Sequence, residues 1–360
     1  MYNLTVALRL VTMLFLLLVL EPAVPAGEQD AARLQAAYER LQQGDARQAI
    51  RECKAVLSAD PRSAPAHLLL GQAYLARGET AMVSEAKAEL QQALDLDPSL
   101  IWARFYLARI YVDLGLNEKA REQLDRGLQD RPNVPHFLSL LGEVDRKLGN
   151  PAASLDLNRR ALAIDPGMTP ARYYLGLAYL DLKQDEAALA ELEAAVHSTY
   201  VAPEMDVALA ALYVKRRRFA EAENLCRKAI ALDGSRPEAY LNLARLYNAQ
   251  HASGKALDAV RIALPEGKQF PSSAFYQQIQ ADLRFEQGIA YQAKGLPGDA
   301  IQAFSRALDF DPSHGEAHHC LAALYLRQGD KPHAIEHAAA AERLGVTIEP
   351  LLRAEIFRGR

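Results

Sequence analysis

The chain has 360 residues, half of them apolar, enough for two or three ordinary domains or for one long repeat array. Acids and bases are mixed along the whole length and leave a formal net charge of −4, so no electrostatic basis exists for a nucleic-acid partner. A single Trp, sparse β-branched residues and frequent Ala favour helices over sheet.

The first 26 residues differ from the rest. Arg9 precedes an apolar run from Leu10 to Leu20, followed by Glu21, Pro22 and the small-residue stretch Ala23-Val24-Pro25-Ala26-Gly27. This is the three-part layout of a secretory signal with a cleavage point after Ala26. The run of 11 residues is shorter than the roughly 20 that span a bilayer as a helix. The expectation is therefore export, with a mature chain starting near Gly27; an uncleaved N-terminal anchor is the alternative, and contact with a membrane is expected only through this segment.

From residue 30 onward the chain repeats. Asp97-Pro98, Arg131-Pro132 and Asp165-Pro166 fall 34 residues apart. A ruler of that length places starts near 30, 64, 101, 135, 169, 203, 237, 281 and 315. Its twentieth column reads Ala49, Ala86, Ala120, Ser154, Ala188, Ala222, Ala256, Ala300 and Ala334. The eleventh, from the second repeat on, reads Tyr74, Tyr111, Asp145, Tyr179, Tyr213, Tyr247, Tyr291 and Tyr325. The eighth holds only Gly or Ala, from Gly71 to Ala322. Small residues at the eighth and twentieth positions let two helices approach closely. Gly78, Gly115, Gly149, Gly295 and Gly329 stand where the first helix must stop, and Pro61, Pro98, Pro132, Pro166 and Pro312 end or redirect the second.

These columns resemble the tetratricopeptide repeat over about residues 30–348. The resemblance implies an all-α fold, a right-handed superhelical solenoid of about nine helix-turn-helix repeats, occupying residues 27–348 as one array. It also implies a protein-binding scaffold with a concave groove lined by the first helix of each repeat. Three departures stand out: Asp145 in the Tyr column, an insert at 271–280 between repeats seven and eight, and a closing segment at 349–360. In that segment Leu352 and Ile356 have helical spacing, and it is read as a cap on the last repeat or a tail. In the insert, Ser follows Pro271, no Gly or Pro intervenes before Gly288, and Phe275, Ile279 and Leu283 keep a spacing of four. The pattern predicts that the insert extends the following helix backwards, leaving Phe275, Tyr276 and Ile279 either as an apolar contact patch or folded under residues 264–270.

Chemistry is sparse. The sequence has no Gly-rich phosphate loop, no Cys-x-x-Cys, no His-Glu-x-x-His and no Gly-x-Ser-x-Gly, so no catalytic, cofactor or metal residue is assigned and no enzyme is expected. The nearest approach to a metal site is His314, His318, His319, Cys320, His333 and His337 in the last repeat, where the pairs 314/318 and 333/337 each share a helix face. Cys53 and Cys226 share a column with Phe304 and read as core filler. Lys215-Arg216-Arg217-Arg218 falls at a turn and reads as a solvated turn or an anionic contact.

Carried onto this chain, the groove implied by the resemblance has Trp102, Phe105, Tyr173, Leu177, Leu241 and Phe285 as apolar members and Arg109, Arg146 and Arg245 as cations. Phe275 and Tyr276 form the second candidate contact. The expected function is an extracytoplasmic adaptor, holding a peptide or subunit during assembly of a pilus, secretion or polysaccharide-export complex. Recognition of a glycan or cell-wall fragment, or metal binding by the His-rich last repeat, are the alternatives.

Overall fold

The computed structural model describes residues 28–358 apart from Thr80, Thr199 and residues 266–272. The leader expected over 1–26 lies outside the described residues, as does the beginning of the insert. All regular structure among the described residues is helical. Two compact units divide at residue 198.

The first unit contains five helix pairs: α1 (Glu28–Gln42) with α2 (Ala46–Ala59), α3 (Ala64–Ala76) with α4 (Met82–Leu96), α5 (Ile101–Asp113) with α6 (Asn117–Asp130), α7 (Pro135–Lys147) with α8 (Pro151–Ile164), and α9 (Thr169–Asp181) with α10 (Asp185–Val196). The second contains four: α11 (Pro203–Lys215) with α12 (Phe219–Leu232), α13 (Pro237–Ala249) with α14 (Ser253–Ala263), α15 (Ala274–Ala293) with α16 (Pro297–Phe310), and α17 (Gly315–Arg327) with α18 (Lys331–Arg343). A last helix, α19 (Pro350–Phe357), packs on α18.

Local chemistry sets the helix ends. Asp97, Asp165 and Asp311 are extended, as a residue before proline is driven to be, and each stops a second helix. Their carboxylates then accept from the amide two residues on, from Ser99, Gly167 and Ser313, which closes the turn into the next repeat. Within each pair the first helix ends in a left-handed residue. Gly115 has φ +73°, its amide donates to the Val112 carbonyl, and the Leu116 amide donates to that of Tyr111. The same pair of bonds recurs at Lys183, Arg217 and His251, where φ is 59° without a glycine.

The two helices of a pair touch most closely at the eighth position. A Cβ built on Gly71 would lie 2.7 Å from Leu90 Cγ, on Gly176 2.8 Å from Leu192 Cγ, and on Gly288 2.5 Å from Phe304 Cε1. In each case the facing residue is four beyond the recurring Ala of the second helix, in the column that also holds Cys53 and Cys226, both fully buried. Burial pushes each of those thiols up to about 12.

The departures have structural expression. α15 has 20 residues where α13 and α17 have 13, and it starts at Ala274 with the Ser273 hydroxyl accepting from the Tyr276 amide. α19 seats Ile356, fully buried, against Ala334, Ala338, Ala341 and Ile348, with Leu352 alongside. Within the closing segment, Pro350–Phe357 therefore packs over the last pair.

Repeat four breaks the pattern in its interior. Asn158 stands where Leu90 and Leu192 stand, opposite Gly142, and is fully buried together with Ser154. Its amide nitrogen donates to the Ser154 carbonyl at 2.9 Å, while its Oδ1 has no partner. Leu has the same number of side-chain heavy atoms, so Asn158→Leu should fit against Gly142 as its counterparts do and remove an unsatisfied buried oxygen. The expected gain is about 1–2 kcal/mol, read as a raised urea midpoint with an unchanged m-value.

Candidate functional site

The surface implied for a partner is the row of first helices, which touch in sequence within each unit, α3 to α5 to α7 to α9 in the first and α11 to α13 to α15 in the second. Each unit presents its own set of candidate residues.

In the first unit, Trp102 and Phe105 enter an aromatic cluster. The Trp102 ring meets Phe105 edge-on at 5.5 Å and Phe137 and His136 at 5.8 Å, and Phe105 also packs on Tyr106. Phe105 is 7% exposed and belongs to the core, a correction to its place on the groove wall: it is gripped by the next repeat's Phe137. Trp102 remains half-buried. Tyr173 and Leu177 on α9 are half-buried, and Tyr173 packs on Tyr174 at 5.3 Å.

The cations are engaged by the neighbouring repeat. Arg109 Nη1 lies 3.1 Å from Glu143 Oε2, 34 residues on, and its Nη2 lies 3.4 Å from Asp113 Oδ1. Lys147 Nζ takes the other Glu143 oxygen at 2.8 Å, and Arg109 reaches the Tyr174 hydroxyl at 3.5 Å, tying α5, α7 and α9 together. Burial works against the Glu143 carboxylate, but Arg109 and Lys147 outweigh it and hold its pKa down at about 2. Arg146 donates to Asp181 Oδ2 at 3.0 Å, 35 residues on.

The second unit uses the same device. Arg245 Nη2 donates to Asp282 Oδ2 at 2.8 Å, 37 residues on, and its Nε lies 3.5 Å from Glu286. Asn248 donates to both the carboxylate and the backbone carbonyl of Glu286, whose pKa is raised by burial. Asn242 donates to the Val207 carbonyl at 2.9 Å. Leu241 is 3% exposed and, like Phe105, is core and not wall. Phe285 is half-buried and stacks on His314 at 4.7 Å, 30° from parallel. Phe275, at the start of α15, is 44% exposed and meets Tyr276 edge-on at 5.4 Å.

The last-repeat histidines do not pair along the helix faces that their spacing suggested. His314 caps α17, accepting from the Ala317 amide, and His333 faces Asp330. The close pair is across the two helices, His318 Nδ1 to His337 Nδ1 at 2.8 Å. No three His, Cys, Asp or Glu among the described residues are placed to hold a metal ion.

Sequence reasoning missed the acidic partners Glu143, Asp181 and Glu286. A usable signal existed: an acid 34 to 41 residues after each groove cation, one repeat further along. Glu143→Gln should leave Arg109 short of one buried partner and cost about 2–3 kcal/mol at pH 7. The wild-type carboxylate is held below its ordinary 4.5, so its contribution is complete above that value and is lost as pH falls towards about 2. Paired denaturation curves at pH 7 and pH 3 should show the gap between variant and wild type narrowing.

Tetratricopeptide-repeat family models match residues 40–81 and 82–144, 117–231, and 207–274 and 285–345. Human protein O-mannosyl-transferase TMTC3 is 24% identical across 75% of this chain and 34% of its own length. Cellulose synthase operon protein C of Pseudomonas fluorescens (strain SBW25) is 45% identical over 53 residues, 15% of this chain and 4% of that protein. The chain thus spans about a third of the first relative and a small fraction of the second. Among solved structures, the APC/C hetero-tetramer Cut9–Hcn1 superposes with a TM-score of 0.69 at 16% identity, covering 92% of this chain and 63% of that one. That likeness is one of fold.

Proposed function

The chain belongs to the tetratricopeptide-repeat family, and on that premise we propose that it is a non-enzymatic adaptor of the cell envelope that holds a peptide or subunit against its first helices. The observation that carries this reading is the contrast between the cations and the apolar residues of those helices. Arg109, Arg146 and Arg245 are already met by carboxylates of the next repeat, whereas Trp102, Tyr173, Leu177 and Phe285 keep part of their surface open. Such a wall suits a partner segment that inserts apolar side chains, and it suits a strongly acidic tail poorly, since each groove cation would have to leave a carboxylate at 2.8–3.1 Å. Phe275 and Tyr276 supply a second contact face at the extended end of α15.

Export is part of the same proposal and rests on the layout of residues 1–26. The short stretch shared with a cellulose synthase operon protein supports a setting in polysaccharide export among the envelope assemblies.

Two measurements test this. N-terminal sequencing of the protein from its native host should read from near Gly27; an intact Met1 on a soluble cytoplasmic protein removes the envelope from the proposal. A photo-crosslinker at Leu177 should capture a discrete envelope partner that the same group at Arg126, exposed on α6, does not. Leu177→Ser should weaken that partner by about 1–2 kcal/mol with an unchanged melting temperature. Equal capture at both positions would remove the groove.

A further inference from the structure

The fourth position of the first helix carries a clamp that recurs through the array. In repeat two, His67 Nε2 meets the Pro61 carbonyl at 3.1 Å and its Nδ1 meets Glu89 on the second helix at 2.6 Å. In repeat three, Arg104 donates to the Pro98 carbonyl at 3.1 Å and to Gln123 at 3.4 Å. In repeat five, Arg172 does so to the Pro166 carbonyl at 3.0 Å and to Glu191 at 3.4 Å. One side chain thereby fastens the turn that enters the repeat and the helix that leaves it.

In repeat nine the acceptor is replaced by a second imidazole. His318 Nε2 faces the Pro312 carbonyl at 3.2 Å, and its Nδ1 faces His337 Nδ1 at 2.8 Å. A carbonyl only accepts, so His318 carries a hydrogen on Nε2 and, when neutral, offers a lone pair on Nδ1. His337 then donates from its own Nδ1. A first added proton can be housed by moving the His337 hydrogen to Nε2, which leaves one hydrogen between the facing nitrogens. A second puts two N–H groups nose to nose.

We propose that the His318–His337 clamp is an acid-operated latch on the terminal repeat, closed while the pair holds at most one hydrogen between its facing nitrogens and opened by the second proton. Opening frees α18 with its lid α19 from α17 and uncovers the apolar face of Ala322, Ala334, Ala338, Ile348 and Ile356. In repeat two the place of His337 is taken by a carboxylate, Glu89.

The surroundings give the second charge little relief. On α18, His333 adds to the repulsion and Glu336 opposes it. On α17, the Tyr325 ring lies parallel to His337 at 5.6 Å and also stacks on His333, so it can stabilise one cation but not the pair. At the C-cap of α16, the charge partner of Asp311 is His314. On α19, Arg353 is paired with Glu342 of α18. Burial, with the His318 charge next, lowers the His337 pKa. The open state therefore binds more protons than the closed one, and closure weakens as pH falls through the ordinary histidine range, about 6.5.

Hydrogen exchange on the full chain at pH 7.5 and 5.5, corrected for intrinsic rates, is the test. α17 and α18 should lose protection several-fold at pH 5.5 while α3 and α4, with the His67–Glu89 clamp, keep theirs. His337→Glu recreates the repeat-two arrangement and should abolish the acid loosening of α17 and α18. Unchanged relative protection in the wild type overturns the latch without recourse to any variant, and so does acid loosening that persists in a folded His337→Glu protein.

Discussion

A helix pair of 34 residues cannot bury its own apolar face, and the closest contact within each pair explains how this chain meets that constraint. At Gly71, Gly176 and Gly288 there is no room for even a methyl group before the facing Leu90, Leu192 or Phe304. The spacing between the two helices is thus fixed by an absent side chain on one and a branched or aromatic one on the other. With that distance set, the remaining faces of the pair are directed at the repeats before and after. Stability then comes from interfaces that recur along the chain.

The same geometry governs the charges. First helices that lie side by side bring a residue near its counterpart one repeat later, so Arg109 meets Glu143 and Arg146 meets Asp181. Half-buried guanidinium groups would be costly alone; each is satisfied by a carboxylate that packing has already carried to it. The apolar residues of the same helices are consumed by packing to different extents. Tyr173, Leu177 and Phe285 are half-buried, whereas Phe105 is closed over by Phe137.

The period, the close-packing columns and the helix ends were legible in the sequence because each depends on residues within one repeat. Asp-Pro and Gly state their conformations locally, and the eighth and twentieth columns report a contact made by every pair. Part of what was not legible depends on two repeats at once. Phe105 and Leu241 share a column with the half-buried Tyr173 and Phe285, and the burial of Phe105 follows from what the adjacent helix offers. The left-handed residues Lys183, Arg217 and His251 carry no glycine to announce them. The His318–His337 contact was hidden for a related reason: spacing along a helix draws the eye to His333 with His337, whereas the contact is made across the pair.

Repeat four shows what a one-dimensional architecture tolerates. Three of its pattern positions are polar, Asp145, Ser154 and Asn158, and all are buried. Burial pushes the Asp145 carboxyl up, and its nearest cation, Arg121 on α6, stands 3.6 Å away. In a globular core three such residues together would threaten the whole fold, because every element shares the same interior. Here the loss stays near α7 and α8, because a repeat packs only on the repeats adjacent to it. Local stability should therefore dip at this pair while α5 and α9 remain tight, and that asymmetry matters for α9, which carries Tyr173 and Leu177. Repeat four therefore meets α9 with polar residues at three of its pattern positions, and the contacts of Arg109 with Glu143 and Tyr174 run across the same helices.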